Sequence, residues 1–424
     1  MIVGIDIDGT INDLHSVILE YGRLYNQTIV NGTIKDENAY YIKDIFAWNV
    51  LDYDKFKCIA DKCKFTCCEG WDINVDEETF NKWKNEESKF KYILENLKVE
   101  EKRNKKEYFL DKNTYDTCPL LDENGLCEIV NNHGEEYISL TCQTFPRIKN
   151  IFGNRKEFSL SCSCPEVVEI ISNINGKINM EFENNICNLD SVLELKFREL
   201  LINIIREDEI PLEQKLVISF QMLLTILESQ YNERKLLSIM EDYKDKEYLK
   251  ELEEVYSKID LSIDESIEEI NNLFLDIVEN YKEVSGLEMI LDNVSSFAEE
   301  IEIEYLSEQW EEYKTLFDQQ ISLIENCIIS KVLSNCNSNN IEEILISFEM
   351  IILEFLLIRY GLFLKYCIDG NAEINIEDLK DFIVVFSRVI GNNAEAVIDF
   401  ISEGFGSEIL ALGISTSITL TSTI

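Results

Sequence analysis

The sequence predicts a mainly α fold, with a cysteine-rich unit ahead of an acidic helical domain and a short β-α leader. Three observations predict it. Nine of the 13 cysteines fall between residues 58 and 164. Proline is absent after Pro211, and from about Asp190 onward apolar residues recur at three- and four-residue spacing, the signature of one buried helix face. The opening Ile2-Val-Gly-Ile-Asp-Ile reads as a short buried strand before an Asp8-Gly-Thr turn and an amphipathic helix over Ile11–Tyr25.

These observations divide the chain into a leader (1–48), a cysteine-rich unit (53–187) and a helical domain (190–408). In the leader, Leu14, Val17, Ile18, Tyr21 and Leu24 form the apolar helix face, with His15 on the outside. The cysteine-rich unit holds Pro119, Pro146 and Pro165, each within four residues of a cysteine, as tight ligand loops require. One long helix is predicted inside it. Asp76 is its N-cap, Glu77 and Glu78 sit at its positive end, and it runs towards Leu97. Lys98–Lys106 is expected to be a basic, solvated stretch. Beyond residue 190, Leu216 to Leu227, Ser262–Tyr281, Ser307–Leu333 and Ile341–Leu364 carry helical periodicity, and Ser334–Asn340 is a polar loop. The uncharged tail Leu410–Ile424 is expected to be strand-like or frayed.

Charge narrows the function. The net charge is −42, and residues 165–424 hold 52 acids against 18 bases. Such a field repels a phosphate backbone, which argues against nucleic acid, and attracts a lysine-bearing protein surface. The start lacks the basic and apolar regions of a secretory signal. The longest apolar run, Met350–Leu364, is broken by Glu354 and Arg359, so no membrane span is expected. A cytoplasmic location follows as the expectation. In that reducing compartment clustered thiols favour metal over disulfides, and the second unit reads as a cysteine-rich metal-binding domain.

The thiols run C-x4-C-x3-C-C over Cys58, Cys63, Cys67 and Cys68, then Cys118, Cys127, Cys142, Cys162 and Cys164. The near group supplies the local part of a thiolate site and the distant cysteines close it. Adjacent residues point apart, so Cys67 and Cys68 cannot easily serve identical roles, and the count allows two four-sulfur sites or one site with spares. Paired C-x2-C spacings of finger-type zinc sites are missing. So is C-x3-C-x2-C, because Gly70 stands where its third cysteine would be.

Two resemblances add to this reading. Asp6-Ile-Asp8-Gly-Thr, with Ile42-Lys-Asp-Ile-Phe-Ala-Trp48, resembles the start of a haloacid dehalogenase-like nucleotidase. That resemblance implies a nucleophile at Asp6, a general acid–base at Asp8 and Mg2+. The further strands that such an enzyme needs do not follow, so the leader reads as a fragment.

The second resemblance rests on Phe56-Lys-Cys-Ile-Ala-Asp-Lys-Cys63, Cys67-Cys-Glu-Gly-Trp, Cys118-Pro-Leu-Leu, Leu126-Cys-Glu-Ile, Gly134-Glu-Glu-Tyr, Thr141-Cys-Gln-Thr-Phe-Pro-Arg147 and Cys164-Pro-Glu166. In this order they resemble the flagellin lysine N-methylase family, of the zinc- or iron-chelating cysteine-rich type, over residues 53–405. The resemblance implies transfer of a methyl group from S-adenosylmethionine to lysine side chains of flagellin. It also implies an iron–sulfur cluster, 4Fe–4S in type, with zinc as the alternative. The ligands it implies are Cys58, Cys63, Cys67, Cys68, Cys118, Cys127, Cys142 and Cys164, with Cys162 an extra.

Lysine methylation needs a base near a desolvated amine, and Glu135 and Glu166 are the candidates. Arg147 is the candidate for a bidentate contact to the carboxylate of the cofactor. His133 is expected to pack rather than ligate. A non-enzymatic zinc- or iron-chelating protein would share every cysteine, and a nucleotidase is the remaining alternative.

Overall fold

The computed structural model describes residues 28–30, 33–35, 46–49, 53, 56–69, 73–102, 105–111, 117–152, 155–178, 181–182, 193–229, 233–258, 262–284, 286–338, 340–370, 373–391 and 397–398. The expectations for Asp6, Asp8, His15, the Ile11–Tyr25 helix and the tail from Leu410 lie outside the described residues.

In chain order the strands are β1 (Thr28–Val30), β2 (Thr33–Lys35), β3 (Phe46–Asn49), β4 (Asn74–Val75), β5 (Leu97–Lys102), β6 (Lys105–Leu110), β7 (Arg147–Phe152), β8 (Arg155–Leu160) and β9 (Glu181–Phe182). The helices of the cysteine-rich unit are α1 (Glu77–Asn85), α2 (Glu87–Leu94), α3 (Glu128–His133), α4 (Leu140–Thr144) and α5 (Pro165–Ser172). Those of the helical half are α6 (Leu193–Ile205), α7 (Leu212–Glu228), α8 (Glu233–Asp242), α9 (Lys246–Tyr256), α10 (Ile263–Val278), α11 (Glu288–Glu300), α12 (Ile303–Phe317), α13 (Ile321–Asn335), α14 (Ile341–Ile368) and α15 (Ile376–Val389).

The mainly α reading holds, and the strands sit ahead of the helical half. β4, β6 and β5 form one sheet, and β7, β8, β3 and β9 form another. In the second, the leader's strand β3 runs parallel to β8, Phe46 opposite Arg155.

Asp76 caps α1 as expected. Its carboxylate accepts the Thr79 amide at 2.9 Å and the Thr79 hydroxyl at 2.8 Å. It also accepts the distant Leu140 amide at 2.7 Å, tying α1 to α4. The long helix predicted from there is two helices. Glu86 leaves helical geometry at φ −112°, ψ 39°, and its carboxylate accepts the Tyr137 hydroxyl at 3.1 Å. The Trp83 indole donates to Tyr137 O at 2.8 Å. Anchorage to a residue 51 positions from Glu86 thus overrides local propensity.

Lys98, Val99, Glu101 and Lys106 are exposed, as a solvated stretch requires, but they lie on the strands of a hairpin registered Leu97 to Leu110 and Val99 to Tyr108. Leu110 is buried, Leu97 and Tyr108 pack against the same core, and Phe80 stacks on Tyr108 at 3.9 Å.

Asp76→Ala is expected to cost about 1–2 kcal/mol, as loss of a cap does, measured by denaturant unfolding. The pH sign follows from the site. Partial burial raises the Asp76 pKa, but the amides of Leu140 and Thr79 outweigh it and hold the carboxyl below its ordinary 3.8. A depressed folded pKa stabilises above the unfolded value and is lost as pH falls through the folded one. The stability gap between the parent and Asp76→Asn should therefore close below about pH 3.8.

Two cores result. A small one holds Ile73, Trp83, Phe90, Ile93, Leu110 and Cys118. A large one spans the helical half and reaches back to Phe65, Leu160, Cys164 and Val167. At its centre α14 packs against α7, α10, α11, α12, α13 and α15. Nearly every side chain of α14 is buried, which is why its sequence shows no polar stripe. Gly361 permits the close crossing with α15, since a Cβ there would lie 2.9 Å from the Phe382 ring.

Ion pairs inside this core join Arg359 with Glu213 at 2.9 Å, Lys215 with Glu325 at 2.5 Å, Arg198 with Glu157 at 2.6 Å, and Lys331 with Glu354 at 2.5 Å. Among the described residues no helix is long and apolar enough to cross a membrane.

Candidate functional site

The chain delivers its thiols on short loops and helix starts. Cys58 and Cys63 flank a 3-10 turn, Ala60–Lys62, entered through Ala60 at φ 49°. Cys127 and Cys164 stand immediately before α3 and α5, and Cys142 lies in the first turns of α4, where the Ser139 hydroxyl accepts its amide at 3.3 Å. A cis Phe145–Pro146 bond leads from α4 into β7. All described cysteines are free thiols.

The eight expected ligands gather into two sets. Cys68, Cys118, Cys127 and Cys142 all pack on the small core, and the Cys118 amide donates to Cys68 O at 2.8 Å. Cys58, Cys63 and Cys164 lie beside the large core. The Cys63 thiol donates to Phe65 O at 2.9 Å and the Ala60 amide to Cys58 Sγ at 3.4 Å. Cys63 is within electrostatic reach of Cys67 and Cys58, and Cys164 of Cys63 and Cys67. Cys118 and Cys142 are within reach of Cys127 and of Cys67 as well. Cys67 is thus the thiol common to both sets.

Burial raises most of these thiols: Cys118 and Cys164 to about 12, Cys142 to about 11, and Cys63 in direction. Cys67 goes the other way. The Cys68 thiol hydrogen-bonds to it and holds it low against burial, aided by the Arg388 charge, while Cys68 itself is pushed up.

A donor set of thiols alone matches an iron–sulfur cluster or zinc, which thiolates bind. Among the described residues, no three His, Cys, Asp or Glu side chains are disposed to hold a single metal ion. The donor chemistry therefore fits, while the thiols are gathered without being closed on one point, as ligands that complete their geometry on binding are.

The other candidates fall outside this gathering or support it. Glu135 is exposed and Glu166, in the first turn of α5, is half-buried. Arg147 is committed locally: it donates to Phe56 O at 3.0 Å and lies over the Phe56 and Tyr53 rings at 4.9 and 5.7 Å. The His133 ring meets Phe90 edge-on at 4.9 Å, a packing role as expected.

Cys162 stands apart from these thiols. It is buried, hydrogen-bonded with Cys327 of α13, and near the Lys331–Glu354 pair. A small cavity of about 10 Å³ lies there, lined by Cys327, Lys331, Glu354 and apolar neighbours. Sequence reasoning missed Arg388 and Lys331, whose positions in helical periodicity gave no sign of the distant partners they meet.

The model of the FliB lysine N-methylase C-terminal domain matches residues 198–412, half of the chain. The chain belongs to the FliB lysine N-methylase family. Its relatives include a lysine-N-methylase of Salmonella typhimurium, 30% identical over 135 residues, or 31% of this chain and 34% of that one. Another is a lysine-N-methylase of Salmonella choleraesuis, 32% identical over 121 residues, covering 28% and 30%. A third is the flagellar biosynthetic protein FliU of Salmonella muenchen, 32% identical over 121 residues, covering 28% and 72%. The match thus spans about a third of the length of the two lysine-N-methylases. No solved structure matches the chain.

Proposed function

We propose that this protein is an S-adenosylmethionine-dependent, iron–sulfur-containing methyltransferase that N-methylates lysine side chains of flagellin in the cytoplasm. The observation that carries the reading is the gathering of eight of the nine cysteines of residues 58–164 into two sets that share Cys67, in a chain of the lysine N-methylase family. The relatives' names add the methylase activity and the flagellar setting.

When bound, the cluster would supply electron-transfer and Lewis-acid capacity at the thiol site. A 4Fe–4S cluster takes four thiolates, so Cys58, Cys63, Cys67 and Cys164 on the large-core side and Cys68, Cys118, Cys127 and Cys142 on the small-core side would make either two four-sulfur sites or one site with the remaining thiols spare. The chain's own work is to hold these thiolates together against burial and to take a proton from the lysine ammonium before its nitrogen attacks the sulfonium methyl. Glu166, half-buried beside Cys164, is the better placed of the two carboxylates for that proton.

Binding of S-adenosylmethionine to the anaerobically reconstituted protein, followed by methyl transfer to purified flagellin, tests the proposal. The cavity beside Cys327, about 10 Å³, has room for no more than about one water molecule and is far too small for a ligand of this size. That observation keeps a second reading in view, a non-enzymatic chelating protein, and absence of cofactor binding would favour it. Phosphate release with Mg2+ would be needed to revive the nucleotidase reading; none is expected.

The acidic surface makes a further prediction. Flagellin affinity should weaken on raising salt from about 0.05 to 0.5 M, since exposed charges are screened over a few ångströms at the higher value. Affinity measured by titration calorimetry and unchanged across that range would rule out electrostatic recruitment.

A further inference from the structure

Arg388 occupies the last turn of α15, far in sequence from every thiol ligand, and is 2% exposed. Its guanidinium donates to three backbone carbonyls. Nε reaches Ser163 O at 3.1 Å, Nη1 reaches Thr66 O at 2.9 Å and Nη2 reaches Phe65 O at 2.8 Å. Thr66 directly precedes Cys67, and Ser163 directly precedes Cys164. One side chain therefore fastens both thiol-bearing loops to each other and to the helical half. The same guanidinium is within electrostatic reach of Cys67, Cys63 and Cys164, and lies over the Phe65 ring at 5.8 Å. Its neighbourhood reinforces the attachment: the Ser163 hydroxyl donates to Ser387 O at 3.1 Å, and Lys64 pairs with Asp381.

A planar fork with five donors suits this task, and a lysine could not reproduce it. A buried cation beside thiolates also offsets negative charge more strongly than a surface one would, because little water screens it.

We propose that Arg388 is the positioning cation of the thiol site, clamping the Phe65–Cys67 and Ser163–Cys164 loops and offsetting the negative charge of whatever centre Cys63, Cys67 and Cys164 hold. The family-matched helical domain thereby completes a metal site to which it contributes no ligand. The charge part of this inference rests on the cluster reading above; the clamp part stands without it.

Two measurements separate the parts. In the metal-free full-length protein, alkylation rates of individual cysteines are mapped by mass spectrometry for the parent, Arg388→Lys and Arg388→Gln. Cys63, Cys67 and Cys164 are expected to react about tenfold faster or more in both variants, because each charge-assisted hydrogen bond lost shifts the opening equilibrium by roughly that factor. Cys118 and Cys127, on the small core, should hold their parent rates. Unchanged rates at the first three thiols, or equal acceleration at all five, overturn the clamp.

In the reconstituted protein the reduction potential is measured. Arg388→Gln should shift it to more negative values, and Arg388→Lys should stay close to the parent. Asp381→Asn serves as the control that loosens the same loop without removing the buried cation, and its potential should not move. A shift as large in Asp381→Asn as in Arg388→Gln, or none in Arg388→Gln, overturns the charge role. Absence of iron in the reconstituted parent would sink the cluster reading and the charge role with it, and the alkylation map would still decide the clamp.

Discussion

Cys67→Ser is expected to strip more metal from this protein than any other single cysteine replacement. The thiol is the one within reach of both sets, toward Cys63 and Cys164 on one side and Cys118 and Cys142 on the other. Losing a partner that merely orients a ligand costs roughly 10–100-fold in metal affinity, and losing a shared ligand should exceed that. Iron and acid-labile sulfide, determined after anaerobic reconstitution, should drop to near background. Cys162→Ser should retain the parent content, because that thiol hydrogen-bonds with Cys327 and stands outside both sets. Parent-level iron in Cys67→Ser would mean that the gathering of thiols is not a metal site.

The second large effect concerns stability. Glu354→Leu should destabilise the helical half by about 3–5 kcal/mol, because it leaves the Lys331 ammonium buried without its counter-ion. Ser387, which donates to Glu354 at 2.6 Å and accepts from Lys331 at 2.7 Å, would lose one partner too. For a domain of this size the loss corresponds to a fall in Tm on the order of 10 °C, measurable by calorimetry. The double variant Lys331→Met with Glu354→Leu should recover most of it, since an apolar pair of similar volume can replace a buried ion pair at little cost. Equal losses in the single and double variants would show that packing, not the orphaned charge, sets the effect.

Several features were legible because their causes are local. The Asp76 cap and the onset of helices near residue 190 each follow from spacing or neighbouring residues, and the folded chain agrees. What stayed hidden depends on partners remote in sequence. The hairpin strand Leu97–Lys102 reads as solvated because Lys and Glu cover its outer face, while Leu97 meets Leu110 only after pairing. The helix break at Glu86 is set by Tyr137. Met350–Leu364 looked like an apolar run spoiled by two charges. Those charges, Glu354 and Arg359, are instead matched by Lys331 and Glu213 within the core. Arg388 sits in good helical periodicity beside Val389, and nothing nearby distinguishes it from a surface arginine.

The hydrogen bond from Arg388 to Phe65 spans 323 positions of chain. At about 5–20 residues per second of synthesis, the loop carrying Cys63, Cys67 and Cys68 waits roughly 15–65 s on the ribosome before its fastening emerges. During that interval the nascent thiols are open to zinc, iron or oxidants in whatever proportions the cell offers. On the cluster reading proposed above, selection of the centre becomes a matter of timing, with an early, unfastened phase in which ligands exchange and a late phase in which α15 fastens the loops.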